Sequence, residues 1–171
     1  MTTQSSPVIC KDIEGNEYSV AADQLTFRPA VYAVIIQDGN ILLSKQWDGY
    51  DFPGGGINLG ESNVAALARE VFEETGLEVE VQKILYVNNS FFKMPHTKKY
   101  VHSIHMYYAC KVTGGELSTK NFEEFEKQYA SMAEWVPLDT FKDLKFYTSA
   151  NAQEILDATV KVNSVSATQF K

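Results

Sequence analysis

The sequence predicts an α/β fold, with a mixed β-sheet held between helical layers. Three observations carry that reading. Short apolar runs bounded by turn residues recur along the chain, the strongest being Val31-Tyr32-Ala33-Val34-Ile35-Ile36. Asn63 to Thr75 contains neither Gly nor Pro and repeats apolar residues at three- and four-residue steps, as one face of a helix does. A second amphipathic stretch follows at Ala150 to Val160, with Ile155, Leu156 and Val160 on its apolar side.

The elements follow in order. Pro7 to Ala22 alternate apolar and polar around Glu14-Gly15-Asn16, which predicts a short β-hairpin. Its role stays open between capping the sheet, shaping a pocket and pairing with a second subunit. Arg28-Pro29 marks a boundary before the Val31–Ile36 strand. Asp38-Gly39-Asn40 turns the chain, and Ile41 to Trp47 returns as a hairpin partner. Trp47-Asp48-Gly49-Tyr50 reads as a polar-aromatic loop. Leu77 to Ser90 reads as one long or bent strand, and Tyr100 to Val112 as the next, closed by Thr113-Gly114-Gly115. Asn121 to Ala130 is either a loop or a short acidic helix, and Ala133 to Leu138 is a strand. The expected organisation is an N-terminal extension over 1–26, a main domain over 27–160 and a loose tail over 161–171.

The chain is organised around Gly55 to Leu77. Pro53, Gly54, Gly55 and Gly56 predict an irregular loop whose backbone can approach a ligand. Gly60-Glu61-Ser62-Asn63 supplies the polar start of a helix, and Gly76 its stop. Val64, Leu67, Ala68, Val71 and Phe72 share the face expected to be buried. Glu70, Glu73 and Glu74 lie together beside it, with Arg69 among them. Like charges at these spacings repel by about 0.2–0.5 kcal/mol per pair. Carboxylates so gathered suit a hard divalent cation, which takes oxygen ligands; the alternative is a solvated acidic face.

The spacing within this stretch is the stronger signal. Gly55, Glu61, Arg69-Glu70-Val71, Glu73-Glu74 and Gly76-Leu77 occupy every fixed position of the Nudix box, and the chain resembles the Nudix hydrolase family (MutT-like). DFPGG ahead of the box and Glu134-Trp135-Val136-Pro137-Leu138 after it are similar to that family too. The resemblance implies a Nudix α/β/α sandwich with a mixed β-sheet, here preceded by the hairpin extension. It also implies metal-dependent hydrolysis of a nucleoside diphosphate linked to another moiety, by water attack at phosphorus. Glu70, Glu73 and Glu74, with the Gly54 carbonyl, correspond to metal ligands for Mg²⁺ or Mn²⁺. Glu70 corresponds to the group that helps deprotonate water, Arg69 to the residue that orients it, and Glu61 to a secondary contributor. An arginine paired to Glu70 would keep that carboxyl ionised.

Other candidates stay open between a role and plain packing. Glu123, Glu124 and Glu126 lie where some relatives place an extra ligand or base, or they form a solvated acidic turn. Lys45 or Gln46 meets a phosphate or is a surface residue. Trp47, Tyr50, Phe91 and Phe92 stack on a base or pack at the rim. His96, His102 and His105 lack helical metal spacing and read as ordinary. Two further readings of the family resemblance remain: a non-catalytic ligand sensor, and an RNA 5′-end pyrophosphohydrolase. The intact box argues against the first, and against the isoprenoid isomerase branch.

Composition narrows the partners. A hydrophobic content of 44% and charged content of 22% are those of a soluble globular protein. No apolar run reaches membrane-spanning length, and MTTQSSPVIC lacks the pattern of a signal peptide, so a cytoplasmic location is expected. Cys10 and Cys110 read as reduced thiols. The formal net charge of −7 disfavours DNA and suits a small metal-complexed nucleotide. Either a monomer or a homodimer is compatible.

Overall fold

In the computed structural model, residues 6–122, 124, 126–148 and 150–159 are described, Glu126 by its backbone alone. The element order is β1 (Val8–Lys11), β2 (Glu17–Val20), β3 (Thr26–Gln37), β4 (Asn40–Gln46), β5 (Gly49–Asp51), β6 (Gly54–Gly56), α1 (Asn63–Thr75), β7 (Leu77–Lys93), β8 (Tyr100–Gly115) and β9 (Ala130–Pro137). A second helix, α2, covers 152–159. The strands form one mixed sheet ordered β2-β1-β7-β8-β3-β4-β5, with β6 on β3 and β9 on β4. β3 lies parallel to β8, and β7 antiparallel to it.

Strand alternation divides the core into two layers. Val31, Ala33 and Ile35 of β3 pack with Ala66, Leu67 and Val71 of α1. Val34, on the opposite face, packs with Ile41, Phe52, Tyr107, Ile155 and Leu156. The sheet therefore lies between α1 and α2, as a Nudix α/β/α sandwich requires. Burying side chains such as Leu67 and Val71 contributes about 1.5–3 kcal/mol each.

Local chemistry sets the helix limits. Ser62 Oγ accepts from the Ala65 N–H at 3.2 Å, and Gly76, at φ 77°, ends α1 by donating to the Phe72 carbonyl. Thr75 Oγ1 donates to the Val71 carbonyl at 2.6 Å and accepts from the Leu77 N–H at 3.1 Å, so the chain passes directly into β7. The β3–β4 turn is made by Asp38 and Gly39, both at positive φ (50° and 77°), as a tight two-residue hairpin turn needs.

Four expectations change. Arg28-Pro29 lies inside β3, where the Pro29 carbonyl accepts from the Ile57 N–H at 3.1 Å. Gly49–Asp51 forms strand β5 against β4. Val64 and Phe72 are exposed, at 55% and 44%, because the buried side of α1 runs through Ala66, Leu67, Val71 and Thr75 instead. The glycine stretch forms a strand, with Gly54, Gly55 and Gly56 paired to Tyr32, Val31 and Ala30. The Asn121 to Ala130 stretch holds a 3₁₀ turn, Glu126–Gln128. Glu123, the Glu126 side chain, Val160 and the predicted tail lie outside the described residues.

The glycine strand exists because it lacks side chains. At Gly54 the backbone takes φ 150°, and a Cβ there would sit 2.1 Å from the Val31 carbonyl oxygen. Gly54→Ala is expected to lower stability by about 2 kcal/mol or more, because backbone must yield. Chemical denaturation checks this; an unchanged midpoint would show that β6 tolerates a Cβ.

Candidate active site

Helix α1 and the glycine strand β6 meet through Arg69. Its Nε and Nη2 donate to the two Glu61 carboxylate oxygens at 2.9 Å each. Its Nη1 donates to both Glu70 and Glu73 at 2.9 Å, and Nη2 also reaches the Gly56 carbonyl at 3.1 Å. One guanidinium thus fixes three carboxylates and the strand opposite them. Glu74 is held separately. Its Oε2 accepts from Ser44 Oγ at 2.8 Å and from the Gly54 N–H at 3.1 Å.

Glu70 occupies the space that a side chain at residue 55 would need. A Cβ on Gly55 would stand 2.4 Å from Glu70 Oε2, so the glycine admits the carboxylate to the strand backbone. The Glu70 side chain is only 15% exposed. Burial pushes its pKa up, against the lowering effect of Arg69. This differs from the expected low pKa, since desolvation outweighs the ion pair. Glu61 is held low, chiefly by its hydrogen bonds from Arg69.

Glu70, Glu73, Glu74 and Gly54 line one wall of a cleft of about 950 Å³. Lys45, Gln46, Trp47, Phe91, Phe92, His96 and His105 also line it. Lys45 is paired to Glu134 at 2.7 Å. Phe91 is stacked on His102, with centroids 4.5 Å apart. Tyr50 does not line the cleft; its hydroxyl donates to Glu134 at 3.0 Å. Glu124 does not line it either, being highly exposed and paired with Lys127. Glu61 does not line the cleft; it pairs with Arg69 and accepts from the N–H of Asn58, both of which do.

The cleft contains residues that sequence reasoning passed over. Arg28 projects beside Gly56, where a Cβ would lie 3.1 Å from its Nη2. Its charge acts on both Glu70 and Tyr32. The only sequence signal for it is its place beside Pro29. Asp51 lines the cleft three residues before Gly54 and accepts from the Phe52 N–H at 2.8 Å. Burial pushes its carboxyl up to about 7. Tyr129 and Tyr147 join the lining from distant segments.

No group of three Asp, Glu, His or Cys side chains among the described residues is arranged to hold a metal ion. Glu70 and Glu73 are instead turned onto Arg69. The donor set nevertheless fits a hard cation, because carboxylates and backbone carbonyls present only oxygen.

The NUDIX domain family model matches residues 26–158. An RNA pyrophosphohydrolase of Pasteurella multocida is 40% identical over 74 residues, covering 40% of this chain and 37% of that protein. The chain spans about two fifths of the length of such curated relatives, 37% and 38% in two of them. Among solved structures, an ADP-ribose pyrophosphatase from Streptococcus suis matches with TM-score 0.60 and 24% identity, over 81% of this chain and 92% of that one. A NUDIX hydrolase from Nitrosomonas europaea matches with TM-score 0.62 and 18% identity, over 80% and 90%. Those structures share the fold, and with the family match over 26–158 the chain belongs to the NUDIX domain family.

Proposed function

We propose that this protein hydrolyses the phosphoanhydride bond of a nucleoside diphosphate linked to another moiety, with water attacking phosphorus. Nucleoside triphosphates, nucleotide sugars and ADP-ribose all fit that description. One observation carries the reading: Glu70 is buried against Gly55 and paired to Arg69, in a cleft that also contains Arg28, Glu73 and Glu74.

The roles follow from that arrangement. Glu70, whose pKa is raised, accepts the proton of the attacking water. Arg69 holds Glu70 and ties it to Glu61 and Gly56, so the base keeps a single orientation. Arg28 offers cationic charge to phosphate oxygens from the strand side. Glu70, Glu73 and Glu74, with the Gly54 carbonyl, would hold Mg²⁺ or Mn²⁺. Such a cation, when bound, lowers the negative charge that phosphate oxygens present to water. Lys45 also lines the cleft, paired with Glu134.

The test is hydrolysis in ¹⁸O-labelled water over a panel of nucleotides that includes 5′-triphosphorylated RNA. Label is expected in a phosphate-containing product, with the small nucleotides turned over best. Label on a carbon-bound oxygen would overturn the assignment. Preference for RNA would keep the chemistry and overturn the substrate class. A chelator is expected to stop turnover and added Mg²⁺ or Mn²⁺ to restore it; full activity in metal-stripped buffer would remove the cation from the proposal.

A further inference from the structure

The cleft is bounded at one end by residues that lie ahead of the family-matched stretch 26–158. Ile9, Lys11, Asp12, Ile13 and Gly15 of the N-terminal hairpin line it, beside Ser90, Phe92 and Lys93 of β7. β1 runs parallel to β7 and pairs with it at Lys11 and Phe92. Side-chain alternation therefore sets Ile9 and Lys11 on the same face as Ser90 and Phe92. On that face the ladder continues from Ser90 to Ser103 of β8 and then to Arg28 of β3. Arg28, the cation assigned to phosphate, thus stands two strand steps from Ser90, about 10 Å, and the hairpin begins one step further.

The hairpin is tied into a fixed shape. The Asp12 carboxylate accepts from the N–H groups of Glu14 and Asn16, at 3.0 and 2.9 Å, and from the Tyr18 hydroxyl at 2.9 Å. Lys93 lies over the Tyr18 ring, 4.1 Å from its centroid, and so links the hairpin to β7. The charges at this end answer one another. Lys11 pairs with Glu17 at 3.0 Å, and Lys93 and Asp12 are joined through Tyr18. What the wall presents to a ligand is apolar: Ile9 and Ile13 line the cleft and are 50% and 46% exposed. One polar group on the floor is also open to a ligand. Ser103 donates its hydroxyl to the Arg28 carbonyl at 2.5 Å, whereas the Ser90 hydroxyl has no hydrogen-bond partner among the described residues.

We propose that the hairpin forms the subsite for the moiety linked to the nucleoside diphosphate, and that this subsite selects an uncharged sugar over a phosphate. This rests on the diphosphate reading above. A terminal phosphate brings more negative charge and needs cations that carboxylates do not already hold. Here three carboxylates, Asp12, Glu14 and Glu17, stand against two ammonium groups, Lys11 and Lys93. A sugar brings no charge. The C–H face of its ring packs on Ile9 and Ile13, and its hydroxyls give Ser90 a partner. The spacing agrees, since a sugar joined to phosphate at Arg28 extends across the strand steps toward Ser90. Nucleotide sugars and ADP-ribose therefore rank ahead of nucleoside triphosphates.

Substrate pairs that share a base isolate the effect: ADP-ribose against ATP, and UDP-glucose against UTP, each hydrolysed by the full chain in Mg²⁺. In at least one pair the sugar is expected to show a kcat/KM about tenfold or more above the triphosphate. Ile13→Lys adds a cation at an exposed turn position, and Ile9→Lys adds one from β1. Each is expected to shift that ratio toward the triphosphate by about tenfold or more. Ile13→Gln removes apolar surface without adding charge, and is expected to weaken the sugar and leave the triphosphate unimproved. Thermal melts show which variants are folded. Triphosphates hydrolysed as well as the sugars by the parent, or an unchanged ratio in either folded lysine variant, would overturn the subsite. Turnover of some other diphosphate derivative but of no member of these pairs would overturn the subsite alone. Turnover of no nucleotide at all would overturn the diphosphate reading as well.

Discussion

Glu70→Gln is expected to reduce kcat by at least about 10²-fold while the fold survives. The amide keeps the shape of the carboxylate against Gly55, so the glycine strand has no reason to move. It has no basic oxygen with which to take a proton from water. Stability should change by no more than about 1 kcal/mol, since two effects oppose. The buried charge and its desolvation disappear, and Arg69 loses one charged acceptor. Arg69 still keeps Glu61, Glu73 and the Gly56 carbonyl. Turnover on the best substrate and a thermal melt measure the two halves. Near-parent kcat would remove Glu70 from the chemistry.

Val71→Asp, one residue further on, is expected to do the reverse and prevent folding. Val71 is fully buried among Val31, Ala33, Ala66 and Leu67. An aspartate there finds apolar neighbours, and a buried unpaired charge costs about 3–5 kcal/mol or more. Total stability for a domain is on the order of 5–15 kcal/mol, so little is left after that loss. Circular dichroism and gel filtration read the outcome. A cooperative melt at the parent temperature would mean that α1 packs differently from the arrangement here.

These neighbouring substitutions show why α1 was legible in advance. Helical spacing assigns Val71 inward and Glu70 to its flank, and the Ser62 and Gly76 signals bracket the element. What spacing could not resolve was the width of the buried face. Val64 and Phe72 fit the period but lie past its edge, because the sheet meets α1 along Ala66, Leu67, Val71 and Thr75. The glycine stretch misled for a related reason. Glycine disfavours a strand by propensity, yet contact with β3 demanded the absence of side chains, and tertiary fit prevailed. Arg28 and Tyr129 were invisible as site residues because each enters the cleft from a segment far from the box. Glu134 reads from the sequence only as part of a strand, because its partners Lys45 and Tyr50 come from β4 and β5.

The N-terminal hairpin has a consequence for how the molecule meets copies of itself. β7 runs for 17 residues, and β1 touches it only near Phe92. An outer strand of that length, left straight and bare, would recruit other chains edge to edge. Here β1 covers one end, and the new margin is the four-residue β2, which carries a Lys11–Glu17 ion pair. Toward the other end, Glu78, Glu80, Gln82 and Lys83 are exposed, and the ladder with β8 slips between Glu78 and Tyr86. Breaks in register bend a margin away from flat pairing, and charge discourages what remains. The long strand can thus build the wall of a cleft without turning the protein into a template for aggregation.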